Sequence, residues 1–223
     1  MEEIELCPCG SGKKYKKCCI DKEMIKTLNE FDLMIREGNE FMLRNKNIEA
    51  CNIWLQVWEN LKQKITSDIK SIEELDERYS GQESIYNWCQ DFEMTLGNAG
   101  IDDPDFYEKR IKFCHEFVNL LPDSDKLIIE NMRTAEAESY FLVGRLEQGE
   151  KEFKSLVKDF PNSAWVYIRW GDMYWLSRNS EGIPPDYEKA EKLYRKALTK
   201  ELDESDRESV LERLNDLEKE KKV

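Results

Sequence analysis

One spacing recurs along this chain and limits the folds open to it. A small residue is followed three positions later by an aromatic. Twelve positions after that small residue comes a second one, with another aromatic four beyond it. Gly38, Phe41, Ala50 and Trp54 obey this rule, with Val57 beyond them. Ala137, Tyr140, Gly149 and Phe153 obey it again, continued by Leu156 and Pro161. Gly171 and Tyr174, preceded by Trp170, open a third set 34 positions after Ala137. Its second half, Ala190, Tyr194 and Ala197, comes seven positions late, and the Ser180–Asp186 stretch with its two prolines absorbs the excess. Trp88, Cys89 and Phe92, followed by Asp105–Leu120, make a fourth and degenerate set. Residues three and four apart are neighbours on a helix. Two antiparallel helices pack closely only where small residues meet, and large aromatics fill the gap to the next pair.

The remaining pattern is helical as well. Leu28, Phe31, Met34 and Ile35 share one helical face, and Ile48, Cys51, Leu55 and Trp58 share another. Only ten glycines and six prolines interrupt 223 residues, of which 36% are charged, and this is the composition of a helical protein. Breaks are expected at Asn45–Asn47, Ser80–Gly81, Gly97–Pro104, Leu121–Asp125, Gly149, Phe160–Ser163 and Asn179–Pro185. They imply about nine helices and no convincing strand. From about Phe31 to Leu202 the chain resembles a divergent tetratricopeptide repeat array. The resemblance implies an α-solenoid of about four hairpins, with a helix from about Ser205 capping the open end. The bland alternative is an irregular helical bundle.

The N-terminus follows different rules. Four of the seven cysteines, Cys7, Cys9, Cys18 and Cys19, fall within the first 19 residues. In a reducing compartment, clustered thiols more often hold a metal than form disulfides. Two cysteines one residue apart, an eight-residue loop and two adjacent cysteines supply the four thiolates of a closed tetrahedral Zn²⁺ site. Gly10 and Gly12 permit the tight turn that such a site needs. Four thiolates and one Zn²⁺ leave two negative charges, and Lys13, Lys14, Lys16 and Lys17 lie in the same loop to balance them, with Tyr15 as the aromatic packed against it. The Cys7-Pro-Cys-Gly-Ser-Gly-Lys-Lys-Tyr-Lys-Lys-Cys-Cys19 run resembles the SEC-C motif, the zinc-binding tail of the bacterial translocase motor SecA. The resemblance places Cys7, Cys9, Cys18 and Cys19 in the four ligand positions, Cys19 standing where the motor protein has histidine. It also implies docking to an export chaperone or the ribosome. Gly10-Ser11-Gly12-Lys13 resembles a piece of a phosphate-binding loop, but Lys14 stands where that loop needs Ser or Thr. Cys51, Cys89 and Cys114 fall in apolar helical patterns and read as small buried hydrophobes.

Charge narrows the partners. The chain carries −13, while residues 1–20 hold four lysines against three glutamates. An acidic body of this kind argues against broad binding to nucleic acid phosphates, double-stranded nucleic acid included. No apolar run approaches the roughly 20 residues of a membrane span, and the acidic, cysteine-rich start does not read as a signal peptide, so the expected location is cytoplasmic. His115, the only histidine, adjoins Cys114, but helical neighbours point about 100° apart and do not form a catalytic pair. Asp102, Asp103, Asp105, Asp123 and Asp125 sit beside Pro104 and Pro122 at expected helix starts and read as caps, as do Asp203 and Asp206. Trp54, Trp58, Trp165, Trp170 and Trp175 read mostly as interlocking core.

No catalytic constellation emerges, and the chain is not expected to be an enzyme. The expected organisation is a zinc knuckle over residues 1–20 and a repeat domain over 21–223. Its function would be that of a protein–protein interaction adaptor. The knuckle, through Lys13, Lys14, Tyr15, Lys16 and Lys17, would dock an acidic protein surface or the ribosome, and the helical groove would hold a partner. The alternative is a non-catalytic regulatory subunit of a larger enzyme, defence or toxin–antitoxin assembly. A hydrolase or nuclease hidden in the acidic helices is the remote third reading.

Overall fold

A computed structural model describes the backbone of residues 19–79, 81–180 and 182–222, with side chains from residue 30 onward except at 179 and 180. Among the described residues there are helices and no strand. In chain order they are α1 (Cys19–Met42), α2 (Asn47–Lys62), α3 (Ile72–Arg78), α4 (Ile85–Asp102), α5 (Asp105–Leu120) and α6 (Lys126–Leu142). Then come α7 (Leu146–Asp159), α8 (Ala164–Asp172), α9 (Leu176–Ser180), α10 (Tyr187–Ala197) and α11 (Glu204–Glu220). The chain divides into two compact units, one ending at Thr95 and the other beginning at Leu96.

In the first unit α1 packs along α2. The reversal between them is made by Asn45, held in the left-handed region at φ 56°. The Lys46 N–H donates back to the Phe41 carbonyl over 3.0 Å, so the turn satisfies a carbonyl that the end of α1 would leave bare. The small residue Gly38 lies against the Trp54 indole, and a β-carbon there would fall inside the ring. Trp54 in turn donates its Nε1–H to the Ile35 carbonyl over 3.2 Å. Its ring meets Trp88 and Phe92 of α4 edge-on, with centroids 6.5 and 6.0 Å away. Asp32, almost buried on α1, accepts the backbone N–H groups of Gln82 and Glu83.

The second unit repeats the same construction. The α6–α7 reversal uses Gly144 at φ 78°, and the Arg145 N–H donates to the Tyr140 carbonyl over 2.7 Å. Asn45 and Gly144 stand seven positions after Gly38 and Ala137 respectively, so the two turns occupy one place in the sequence pattern. The helix α8 packs on both α6 and α7, α10 packs on α8, and α11 covers α8 and α10. This order of contacts is that of stacked helical hairpins and is consistent with an α-solenoid. Gly171 lies against the Tyr194 ring, as Gly38 lies against Trp54. Aspartate or serine side chains cap the starts: Asp125 for α6, Ser163 for α8, Asp186 for α10 and Asp203 for α11.

Four expected boundaries differ. Gly149 lies inside α7, because its missing β-carbon admits the Phe141 ring and the chain reverses at Gly144 instead. The helix α4 runs through Gly97 and Gly100 to Asp102, and these glycines make room for the Arg110 guanidinium and the Tyr107 ring rather than ending the helix. A separate α3, capped by Ser71, intervenes before the break at residues 80–81. Another short helix, α9, lies just before the stretch read as loop and overlaps only its first residues.

Candidate metal segment and helical clefts

The expected ligands Cys7, Cys9 and Cys18, and the loop residues Lys13, Lys14, Tyr15, Lys16 and Lys17, lie outside the described residues. Cys19 is the first residue of α1, and its side chain is likewise outside them. Among the described residues no group of His, Cys, Asp and Glu is placed to hold a metal ion. The three body cysteines are fully buried, as expected for small hydrophobes. Burial pushes the Cys89 thiol well above its usual range, and the Asp76 carboxylate adds to this.

Most of the body's polar chemistry holds hairpins together. Glu138 of α6 receives the Arg169 guanidinium of α8 over 2.5–2.6 Å and that of Arg110 from α5 at 3.5 Å. Burial works against its charge, but the two guanidiniums outweigh burial and hold the carboxyl below the usual range. Asp172, at the end of α8, accepts from the Tyr194 hydroxyl at 2.6 Å and pairs with Arg213 of α11. There burial prevails and the carboxyl is pushed up.

Two clefts open on equivalent sides of successive hairpins. The first, about 380 Å³, has α6 as its floor and α5 and α7 as its walls. Here His115 is mostly exposed and its Nδ1 lies 3.2 Å from Glu136, which also accepts from the Tyr140 hydroxyl at 3.0 Å. Burial raises the Glu136 carboxyl against both partners and lifts the Tyr140 phenol to about 12. Cys114 is buried beside Met132, whereas His115 faces the cleft. Arg133 in this cleft is taken up by Glu152, Asp159 and Ser155.

The second cleft, about 470 Å³, has α8 as its floor and α7 and α10 as its walls. Trp170 stacks flat on Phe153 at 5.5 Å and donates its indole N–H to Glu150 over 2.9 Å. Tyr174, Lys154 and Lys189 also reach Glu150. Burial opposes the charge of Glu150, yet donation from Lys154, Tyr174, Trp170 and Lys189 holds it at about 2. The glutamates of both clefts went unrecognised in the sequence. A signal was present: Tyr140 and Tyr174 stand 34 positions apart, and each gives its hydroxyl to a cleft carboxylate. Of the five tryptophans read as core, Trp165 is the exception, with 49% of its surface exposed.

The SEC-C motif family model matches residues 5–20, the segment that holds all four clustered cysteines. No curated protein and no solved structure matches the chain. No helix among the described residues is long and apolar enough to cross a membrane.

Proposed function

We propose that this protein is a zinc-binding interaction adaptor, with a SEC-C knuckle over residues 1–20 and a tetratricopeptide-like repeat domain over 21–223. The observation that carries the reading is the SEC-C match over residues 5–20, which coincides with the Cys7, Cys9, Cys18, Cys19 spacing. Four thiolates fit Zn²⁺ and leave no open position for water or substrate, so the metal holds the knuckle in shape and takes no part in a reaction. The repeat reading is supported by the matching close approaches of Gly38 to Trp54 and Gly171 to Tyr194, and by the shared turn at Asn45 and Gly144. Stacked hairpins present long surfaces for protein partners. The protein is cytoplasmic and not an enzyme in this reading.

Lys13, Lys14, Lys16 and Lys17 exceed the two charges of a zinc–tetrathiolate centre, and Tyr15 lies among them. The loop therefore docks an acidic protein surface or the ribosome, and the contact weakens as salt shortens screening below about 8 Å. The test is capture of partners by full-length tagged protein, compared with a Lys14→Gln, Lys16→Gln, Lys17→Gln variant and identified by mass spectrometry. Loss of specific partners with zinc retained supports the reading. An unchanged partner set would reduce the lysines to counter-charge. Recovery of one stoichiometric enzyme in both samples would favour a regulatory subunit.

A further inference from the structure

The cleft between α7, α8 and α10 differs in chemistry from the acidic body that surrounds it. On a chain of net −13, four lysines line it: Lys154 from α7 and Lys189, Lys192 and Lys196 from α10. Their spacing of three and four places the α10 lysines on one helical face. Glu150 is already satisfied by Lys154, Tyr174, Trp170 and Lys189, so it does not neutralise the others. Asp186 is occupied as the cap of α10. Glu188 is exposed and makes no ion pair with Lys192 one turn on, and Lys196 lies 5.8 Å above the Tyr167 ring rather than on a carboxylate. Lys192 and Lys196 are therefore cations without a carboxylate partner among the described residues.

The floor is apolar and stiff. Trp170 is fixed between its stack on Phe153 and its hydrogen bond to Glu150, and Leu193 lies beside it. The equivalent cleft one hairpin earlier has the opposite character. Glu136 stands 34 positions before Trp170, and Glu152 stands 41 before Leu193, the same 34 plus the seven-residue insertion. Carboxylates there replace the two apolar floor residues, while Lys151 keeps the place of Lys192. Of the two clefts, the second combines exposed cations with an apolar floor whose tryptophan is held by a stack and a hydrogen bond, and rigid sites lose less entropy on binding.

We propose that this cleft docks an extended acidic peptide segment of a partner protein. Its carboxylates lie against Lys192 and Lys196, and one apolar side chain rests over Trp170 and Leu193. The proposal deepens the adaptor reading and rests on it, and it assigns a second docking site independent of the lysine loop.

The probe is a fluorescein-labelled peptide alternating Glu and Leu, followed by fluorescence anisotropy with full-length protein. A counterpart with Lys in place of Glu is the control. Three variants are compared after circular dichroism confirms unchanged melting: Lys192→Glu with Lys196→Glu, Lys64→Glu with Lys126→Glu as a matched charge change outside the cleft, and Lys14→Gln with Lys16→Gln and Lys17→Gln. The expected result is binding of the acidic probe only. The cleft variant should bind roughly tenfold or more weakly, and the matched charge variant as wild type within about twofold. Equal weakening by the matched variant would make the effect one of net charge and overturn the proposal. Loss in the lysine-loop variant alone would move the acidic docking site to the knuckle, overturning the cleft while leaving the adaptor reading intact. Absence of probe binding in wild type would also overturn the cleft, and partner capture would then decide the adaptor reading separately.

Discussion

The hairpin of α1 and α2 and the hairpin of α6 and α7 turn in the same way but are held to their neighbours by different forces. Each reverses through a left-handed residue, Asn45 or Gly144, and each places a cation over the aromatic that ends its first helix. Lys46 lies 5.8 Å over Phe41, and Arg145 lies 5.3 Å over Tyr140. Beyond the turn they diverge. Trp54 gives its indole N–H to a backbone carbonyl and packs edge-on against Trp88 and Phe92. Trp170 gives its own to the Glu150 carboxylate, and the helices around it share the Arg110–Glu138–Arg169 cluster. The first junction rests on aromatic packing around Trp54, and the second on a carboxylate shared by two guanidiniums. A repeat pattern thus fixes how a hairpin closes but not what joins it to the next helix.

Several substitutions sharpen that contrast, beginning with the largest effect. Trp54→Ala should remove the centre of the first unit and destabilise it by about 3–5 kcal/mol. Hydrogen exchange should place the loss in α1 and α2 and leave α6 to α11 protected, whereas loss throughout would mean that the aromatic junction is not local. Glu138→Ala removes the carboxylate that Arg110 and Arg169 share and should destabilise the second unit by about 3 kcal/mol. Denaturant melts at low and high salt should differ more for the wild type than for this variant.

Gly171→Leu drives a side chain into the Tyr194 ring and should cost about 1–3 kcal/mol; a neutral result would mean that the spacing of the third hairpin was misread. Gly144→Ala should cost about 1 kcal/mol, since a β-carbon is strained at φ 78° although the space beside it is open. Asn45→Gly relieves the same strain and should be neutral to slightly stabilising, as chemical denaturation would show. A further effect concerns acid. The folded Glu150 carboxyl lies at about 2 against 4.5, so its contribution is present above the unfolded value and is lost as pH falls from about 4.5 towards 2. Glu150→Gln should flatten that part of the stability curve, while Trp54→Phe should leave its shape unchanged.

Much of the helical body was legible because its spacing reports packing. Small-to-aromatic intervals marked Gly38, Trp54, Gly171 and Tyr194 as packing positions, but each glycine meets the aromatic of its own hairpin's second helix rather than another small residue. Glycine was the main source of error. Its use as a contact surface at Gly97, Gly100 and Gly149 looks the same in sequence as its use in a turn, as at Gly144 after α6. The clefts were illegible for another reason. Glu136 and Glu150 meet equivalent tyrosines from different helices, so no single-helix spacing connects them. The cysteine segment is the reverse case, since its match to the SEC-C motif is carried by residue type and spacing alone.

That segment bears the central claim, and metal content tests it most directly. Elemental analysis of freshly reduced protein purified without added metal should give about one Zn per chain. Cys9→Ser or Cys18→Ser should abolish the zinc without changing the helical circular dichroism of the body. Iron in its place, no metal at all, or zinc that survives both substitutions would contradict the assignment of Cys7, Cys9, Cys18 and Cys19.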